Sequence, residues 1–143
     1  MSDFEGVKLT SLRQIQHPDG PIYHGLKASE DSFSGFGEAY FSHILHGRVK
    51  GWKQHTKMVM NLMVPKGSVR FVIAKDPEDP KSRQSIVLGE DNYQRLTVQP
   101  GFWMAFQGLG EGLNMILNLA SIEHDPQEAN ARDLESIEFD WSL

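Results

Sequence analysis

A chain of 143 residues with 39% hydrophobic and 23% charged side chains can bury one sizeable core and has an ordinary globular balance. Its net charge of −5 argues against a general nucleic-acid or anionic-membrane binder, and the lack of cysteine removes disulfides, thiolate catalysis and cysteine-held zinc. The opening residues MSDFEGVKL carry no charged-then-apolar leader pattern, and no apolar run approaches the ~20 residues of a membrane helix. The expectation is a cytoplasmic protein with neither nucleic acid nor membrane as partner.

Residues 1–34 are rich in turn signals, with HPDGP at 17–21, and read as an arm holding short strands. FGEAYFS at 36–42 reads as a strand, since Gly35 and Gly37 break any helix. The stretch GRVKGWKQHTKMVMNLMV at 47–64 reads as one long strand. Strand side chains alternate faces, so Lys53, His55, Lys57 and Asn61 share one face and Met58, Met60, Leu62 and Val64 the other. Such a polar row is either a solvated outer wall or the lining of a barrel pocket.

Pro65, Lys66, Gly67 and Ser68 spell a turn, and SVRFVIA at 68–74 completes a hairpin with the long strand. Residues 75–83, with two prolines and many charges, form an exposed loop. Strands follow at 84–88, 93–98, 102–106 and 114–121. A short helix is expected within 126–135 and a closing strand at 138–141. Short strands separated by Gly and Pro, with almost no helix, specify an all-β sandwich or barrel.

Several side chains admit two readings. Trp103 and Phe106 suit a core or a base-stacking platform at a barrel mouth. Asn114 and Asn118 suit sugar hydroxyls or buried amides bonded to backbone. Arg95 and Arg70 suit phosphate or plain surface. His43, His46 and His55 raise the question of metal, but no His-x-His pair is followed by Glu, and Lys57 would repel a cation; no metal or cofactor is expected.

The block LGEDNYQRLTVQPGFWMAF at 88–106 resembles the corresponding block of the dTDP-4-dehydrorhamnose 3,5-epimerase family, through Asn92, Leu96, Val98, Gly101, Phe102 and Phe106. GRVKGWK at 47–53 resembles that family's Gly-Val-Leu-Arg-Gly-Leu-His. A divergent short branch of the family, found among bacterial surface-polysaccharide genes, is more similar still. Its FGEAYFS, KGWKxH, WMAFQGLG and IEHDP stretches occur here at 36–42, 50–55, 103–110 and 122–126. The resemblance implies a cupin-type jelly roll at 36–141 within a single 1–143 domain, with the 1–34 arm and the short C-terminal helix as additions. It also implies a homodimer, and a nucleotide sugar in the barrel mouth.

In that family a proton leaves the carbon beside a 4-keto group and returns on the other face, which takes a base, an acid and a group that holds the enolate oxygen. By resemblance the base histidine falls on Lys53, the enolate-holding lysine on Lys57 and the acid tyrosine on Asn118. A further tyrosine falls on His124, a histidine on Met104, and the base's aspartate on Asp133. The usual base and acid are therefore both replaced, because an amide cannot serve as an acid and a lysine is a base only when its pKa drops to ~7. Histidine is the side chain whose ordinary titration lies near neutrality, so His55, with Lys57, makes the surviving base and oxyanion pair. The expected catalytic residues are His55, Lys53 and Lys57, and the expected substrate-binding residues are Asn61, Gln107, Asn118, His124, Trp103 and Arg95. The expected function is an epimerase- or isomerase-like protein acting on a nucleotide-linked keto-sugar in surface-polysaccharide biosynthesis. The alternative is a catalytically silent cupin that binds a sugar or sugar nucleotide.

Overall fold

The computed structural model describes residues 5–143, so the first four residues of the expected arm lie outside the description. The strands are β1 (Val7–Ser11), β2 (Gln14–Ile15), β3 (Ile22–Tyr23), β4 (Glu38–Ile44), β5 (Val49–His55) and β6 (Met60–Lys66). They continue with β7 (Ser68–Ala74), β8 (Arg83–Gly89), β9 (Gln94–Val98), β10 (Trp103–Gly108), β11 (Asn114–Ala120) and β12 (Ala129–Ala131). They form two antiparallel five-stranded sheets, a front sheet β1-β9-β6-β11-β4 and a back sheet β12-β5-β10-β7-β8, with β2 and β3 as a separate ribbon. This is the expected all-β sandwich. No helix among the described residues is long and apolar enough to cross a membrane.

The long strand expected at 47–64 is two strands in different sheets. β5 ends at His55, residues 56–59 cross the sandwich, and β6 begins at Met60 in the front sheet. Consequently 68–74 forms no hairpin with it: β7 pairs with β10 and β8, while β6 pairs with β11 and β9. Pro65, which cannot donate to a ladder, sits where β6 slips register against β11. The expected helix at 126–135 is β12 followed by one 3₁₀ turn, Leu134–Ser136. There the backbone pairs with β5 (Ala129 with His55, Ala131 with Lys53), which answers amides that a helix would have bonded within itself. No strand closes at 138–141. Phe139 and Trp141 pack instead on the outside of the back sheet.

The main core fills the space between the sheets with Leu62, Val64, Phe71, Ile73, Leu96 and Ile116. A second apolar layer lies outside the back sheet, where Trp52, Val72, Trp103 and Ala105 are covered by Leu134, Ile137, Phe139 and Trp141. Trp52 is almost fully buried and donates from its indole to the Leu134 carbonyl at 3.0 Å. Burial of a side chain of this size contributes about 1.5–3 kcal/mol. The arm covers the outside of the front sheet. Arg95 donates to the Gly25 carbonyl (2.6 Å) and pairs with Glu30 (2.8 Å), and Asn61 donates to the Ser32 carbonyl (3.1 Å). The central strands β6 and β7 are thus covered on both faces, which is why they read as nearly continuous apolar runs.

Candidate active site

A cavity of about 270 Å³ opens between the sheets. Met60, Leu62, Phe71, Met104, Phe106 and Ile116 form its apolar walls. Its polar groups are few: Tyr40 and Ser42 on β4, Asn118 on β11, and Lys50, Lys53 and His55 on β5. An apolar chamber with a small set of convergent polar groups is the usual form of a small-molecule site.

Lys50 and Lys53 are three residues apart, yet both line the cavity. A bulge explains this: Lys53 pairs with Met104 and Lys50 with Phe106, so Gly51 and Trp52 together face the single residue Ala105. The bulge turns Trp52 outward and returns Lys50 to the inner face. Gly51 has φ +157° and passes so close to β10 that a Cβ would lie 2.3 Å from that of Ala105. Only glycine fits there. Lys50 also donates to the His43 carbonyl at 2.6 Å, which fixes its ammonium beside the mouth.

His55 is buried, and its Nδ1 is in hydrogen-bond contact with Oε1 of the equally buried Glu128. The other carboxylate oxygen, Oε2, accepts backbone N–H groups from Thr56 (3.2 Å), Lys57 (3.0 Å) and Met58 (3.2 Å). The crossover at 56–59 therefore wraps the carboxylate, and Thr56 adds a hydroxyl bond to the Glu128 carbonyl at 2.5 Å. Burial pushes the Glu128 carboxyl up, but the His55 ring and the Lys57 and Met58 amides outweigh it and hold the group below the usual carboxylate range. An ionised carboxylate only accepts, so Nδ1 carries the ring proton. In the neutral ring Nε2 is then the acceptor nitrogen, on a side chain that lines the cavity.

On the front sheet, Asn118 Nδ2 donates to the Tyr40 hydroxyl at 2.9 Å, and Asn118 Oδ1 accepts the Asn61 backbone N–H at 3.1 Å. The phenol and the imidazole thus stand on opposite sheets, with the cavity between them.

Of the residues expected in the site, Lys53, His55 and Asn118 line the cavity. The others lie elsewhere. Lys57 sits in the crossover with its side chain exposed, and only its amide reaches the site. Asn61 and Arg95 face outward under the arm, Asn61 accepting from Thr97 Oγ1 at 2.6 Å. Trp103 belongs to the outer layer, where Arg132 stacks over its ring at 5.6 Å. Gln107 lies beneath the C-terminal segment and donates to the Trp141 carbonyl at 2.7 Å. His124 is exposed, its backbone N–H donating to Glu38 at 3.0 Å. For Lys57 and Asn61 the cause is phase. Lys53 and His55 face inward on β5, whereas Met60 and Leu62 face inward on β6, so the inner row passes from odd to even at the crossover.

Asp133, the suggested partner carboxylate, precedes the Leu134–Ser136 turn, and Glu128 holds His55 instead. Glu128 and Tyr40 were not found from sequence. Three consecutive apolar residues after Lys57 (Met58, Val59, Met60) are a signal of the crossover that sets the phase; Glu128 itself has no local signal. Among the described residues no three histidine or acidic side chains converge as a metal would require, and His43 and His46 do not line the cavity.

The chain is similar to the spore coat polysaccharide biosynthesis protein SpsL of Bacillus subtilis (strain 168), 25% identical over 145 residues that cover 96% of each chain. It is 26% identical over 151 residues to the probable low-salt glycan biosynthesis epimerase Agl13 of Haloferax volcanii, covering 99% of this chain and 97% of that one. A crystal structure of a dTDP sugar isomerase from Desulfovibrio desulfuricans G20 superposes with a TM-score of 0.86 at 36% identity, covering 96% of this chain and 91% of the other. The two-sheet architecture is the cupin-type jelly roll that the sequence blocks implied. With residues 5–137 matching the family described as "FdtA: WxcM-like, C-terminal", the chain belongs to that family.

Proposed function

We propose that this protein is an isomerase or epimerase acting on a nucleotide-linked keto-sugar in surface-polysaccharide biosynthesis. The observation that carries the reading is the buried His55–Glu128 pair opening onto the cavity. His55 Nε2 takes a proton from the carbon beside the keto group. The C–H electrons move into the carbonyl to give an enolate, and the positive charge of Lys53 and Lys50 at the cavity mouth favours it. Tyr40, on the opposite sheet, returns a proton, and solvent restores both groups. Lys53 is solvent-exposed, whereas His55 is buried and oriented by Glu128, so the base role goes to His55.

The cavity is of a size to take the sugar ring, near the lower end for ligand pockets, and the nucleotide lies outside against the mouth. Residues 5–143 act as one cupin-like unit, cytoplasmic and dimeric. The test is solvent deuterium exchange. Wild-type protein given 4-keto-6-deoxy sugar nucleotides in D2O incorporates deuterium beside the keto group, and His55→Ala does not. A silent binding module shows ligand-induced stabilisation with no incorporation in wild type, and that result overturns the enzymatic reading.

A further inference from the structure

We infer that Asn118 is a positioning residue that aims the Tyr40 proton into the cavity, and that it does not bind the substrate. The inference rests on the proton-transfer reading above. Asn118 is 1% exposed, and its amide is already engaged within the protein. The backbone N–H of Asn61 can only donate, so the Asn118 atom facing it, at 3.1 Å, has to be the oxygen. That contact fixes the amide orientation and leaves the NH2 group facing Tyr40. One N–H meets the phenol oxygen at 2.9 Å, and the same nitrogen lies 3.7 Å from Met58 Sδ. Little bonding capacity is left for a sugar hydroxyl.

The consequence falls on Tyr40. A phenol has one proton and two lone pairs. Because Asn118 donates to its oxygen, the Tyr40 O–H cannot point at Asn118 and is directed elsewhere, and Tyr40 lines the cavity. A bond donated to that oxygen also stabilises the phenolate left after proton donation. Asn61 is in turn held from the outer side of the sheet: its Oδ1 accepts from Thr97 Oγ1 at 2.6 Å, and its Nδ2 donates to the Ser32 carbonyl at 3.1 Å. A polar relay thus runs from the arm at Ser32, through Asn61 and Asn118, to the acid. An amide serves here where a carboxylate would not. An aspartate at 118 offers only acceptors when ionised and turns the Tyr40 proton toward itself.

The experiment separates abstraction of the substrate proton from delivery of the new one. Wild type, Asn118→Asp, Asn118→Leu, Tyr40→Phe and the Asn118→Asp/Tyr40→Phe double variant are each given a 4-keto-6-deoxy sugar nucleotide in D2O. Deuterium in recovered substrate reports the His55 step, and product reports the Tyr40 step. We expect Tyr40→Phe to lower product formation by about 10²–10⁴-fold while exchange into recovered substrate persists. Each Asn118 variant should lower the product-to-exchange ratio at least tenfold. The double variant should fall no further than Tyr40→Phe alone. An unchanged ratio in a folded Asn118 variant overturns the inference, as does a further tenfold loss in the double variant. Asn118→Leu carries no buried charge, so it keeps the test decisive if the aspartate variant fails to fold. Absence of exchange in wild type defeats the proton-transfer reading itself, a result distinct from either of these.

Discussion

Glu128 reaches His55 across 73 residues of sequence and closes its second oxygen against the three amides that follow that histidine. One carboxylate thereby sets the histidine tautomer and the shape of the crossover between the sheets. Glu128→Gln keeps the volume but loses the charge and allows the side chain to donate to Nδ1, which moves the ring proton to the cavity side. Turnover and solvent exchange should both fall by about 10²–10⁴-fold, measured on protein whose circular dichroism matches wild type.

The same carboxylate links stability to acidity. Its folded pKa lies below the ordinary 4.5 because the hydrogen bonds outweigh burial. A group whose pKa is depressed on folding contributes stability that is fully present above the unfolded value and is lost as pH falls through the folded one. The unfolding midpoint should therefore be level with respect to this group above about pH 5.5 and decline below pH 4.5, with a shallower decline in Glu128→Gln. Removal of the carboxylate altogether, in Glu128→Ala, leaves the Lys57 and Met58 amides unanswered, while Thr56 N–H keeps the residue-128 carbonyl at 2.8 Å, and should cost on the order of 2–3 kcal/mol in urea unfolding.

Lys57 and Lys53 should behave oppositely. Lys57→Ala removes an exposed side chain and keeps the amide that Glu128 uses, so kcat/KM should stay within about threefold of wild type, a change of well under 1 kcal/mol. Lys53→Ala removes a charge at the cavity mouth and should lower kcat/KM by about tenfold or more, or 1.4 kcal/mol. Steady-state kinetics of the two variants side by side would reverse this assignment if Lys57→Ala were the more damaged.

Arg95 should matter for stability and not for substrate. Arg95→Met keeps an apolar stem but loses the Glu30 pair and the Gly25 carbonyl bond beneath the arm. A loss of about 1–3 kcal/mol is expected, with KM unchanged for the protein that remains folded. A raised KM at unaltered stability would return Arg95 to the binding site.

Strand existence was legible in the sequence because alternation, turn residues and β-branched runs are local signals. β4, β8, β9, β10 and β11 fall close to where they were expected. Alternation does not reveal whether a strand keeps to one sheet. The alternating row from Lys53 to Asn61 runs unbroken in the sequence across a crossover, so it groups Lys57 and Asn61 with a wall they do not share with His55. Double coverage hid a second set. Trp103, Gln107 and Arg95 look like site residues because they are large and polar or aromatic, yet the arm and the C-terminal segment bury them on outer faces. The sequence blocks led to the cavity end of β5 through Lys53 and His55. They did not lead to Glu128, whose contact with His55 is set by tertiary pairing of β12 with β5.

Every residue that lines the cavity precedes Glu128 in the chain, so the chamber and the carboxylate that holds His55 come from separate parts of the sequence. A chain cut between Asn118 and Glu128 keeps every residue of the cavity lining and loses the acceptor that orients the imidazole.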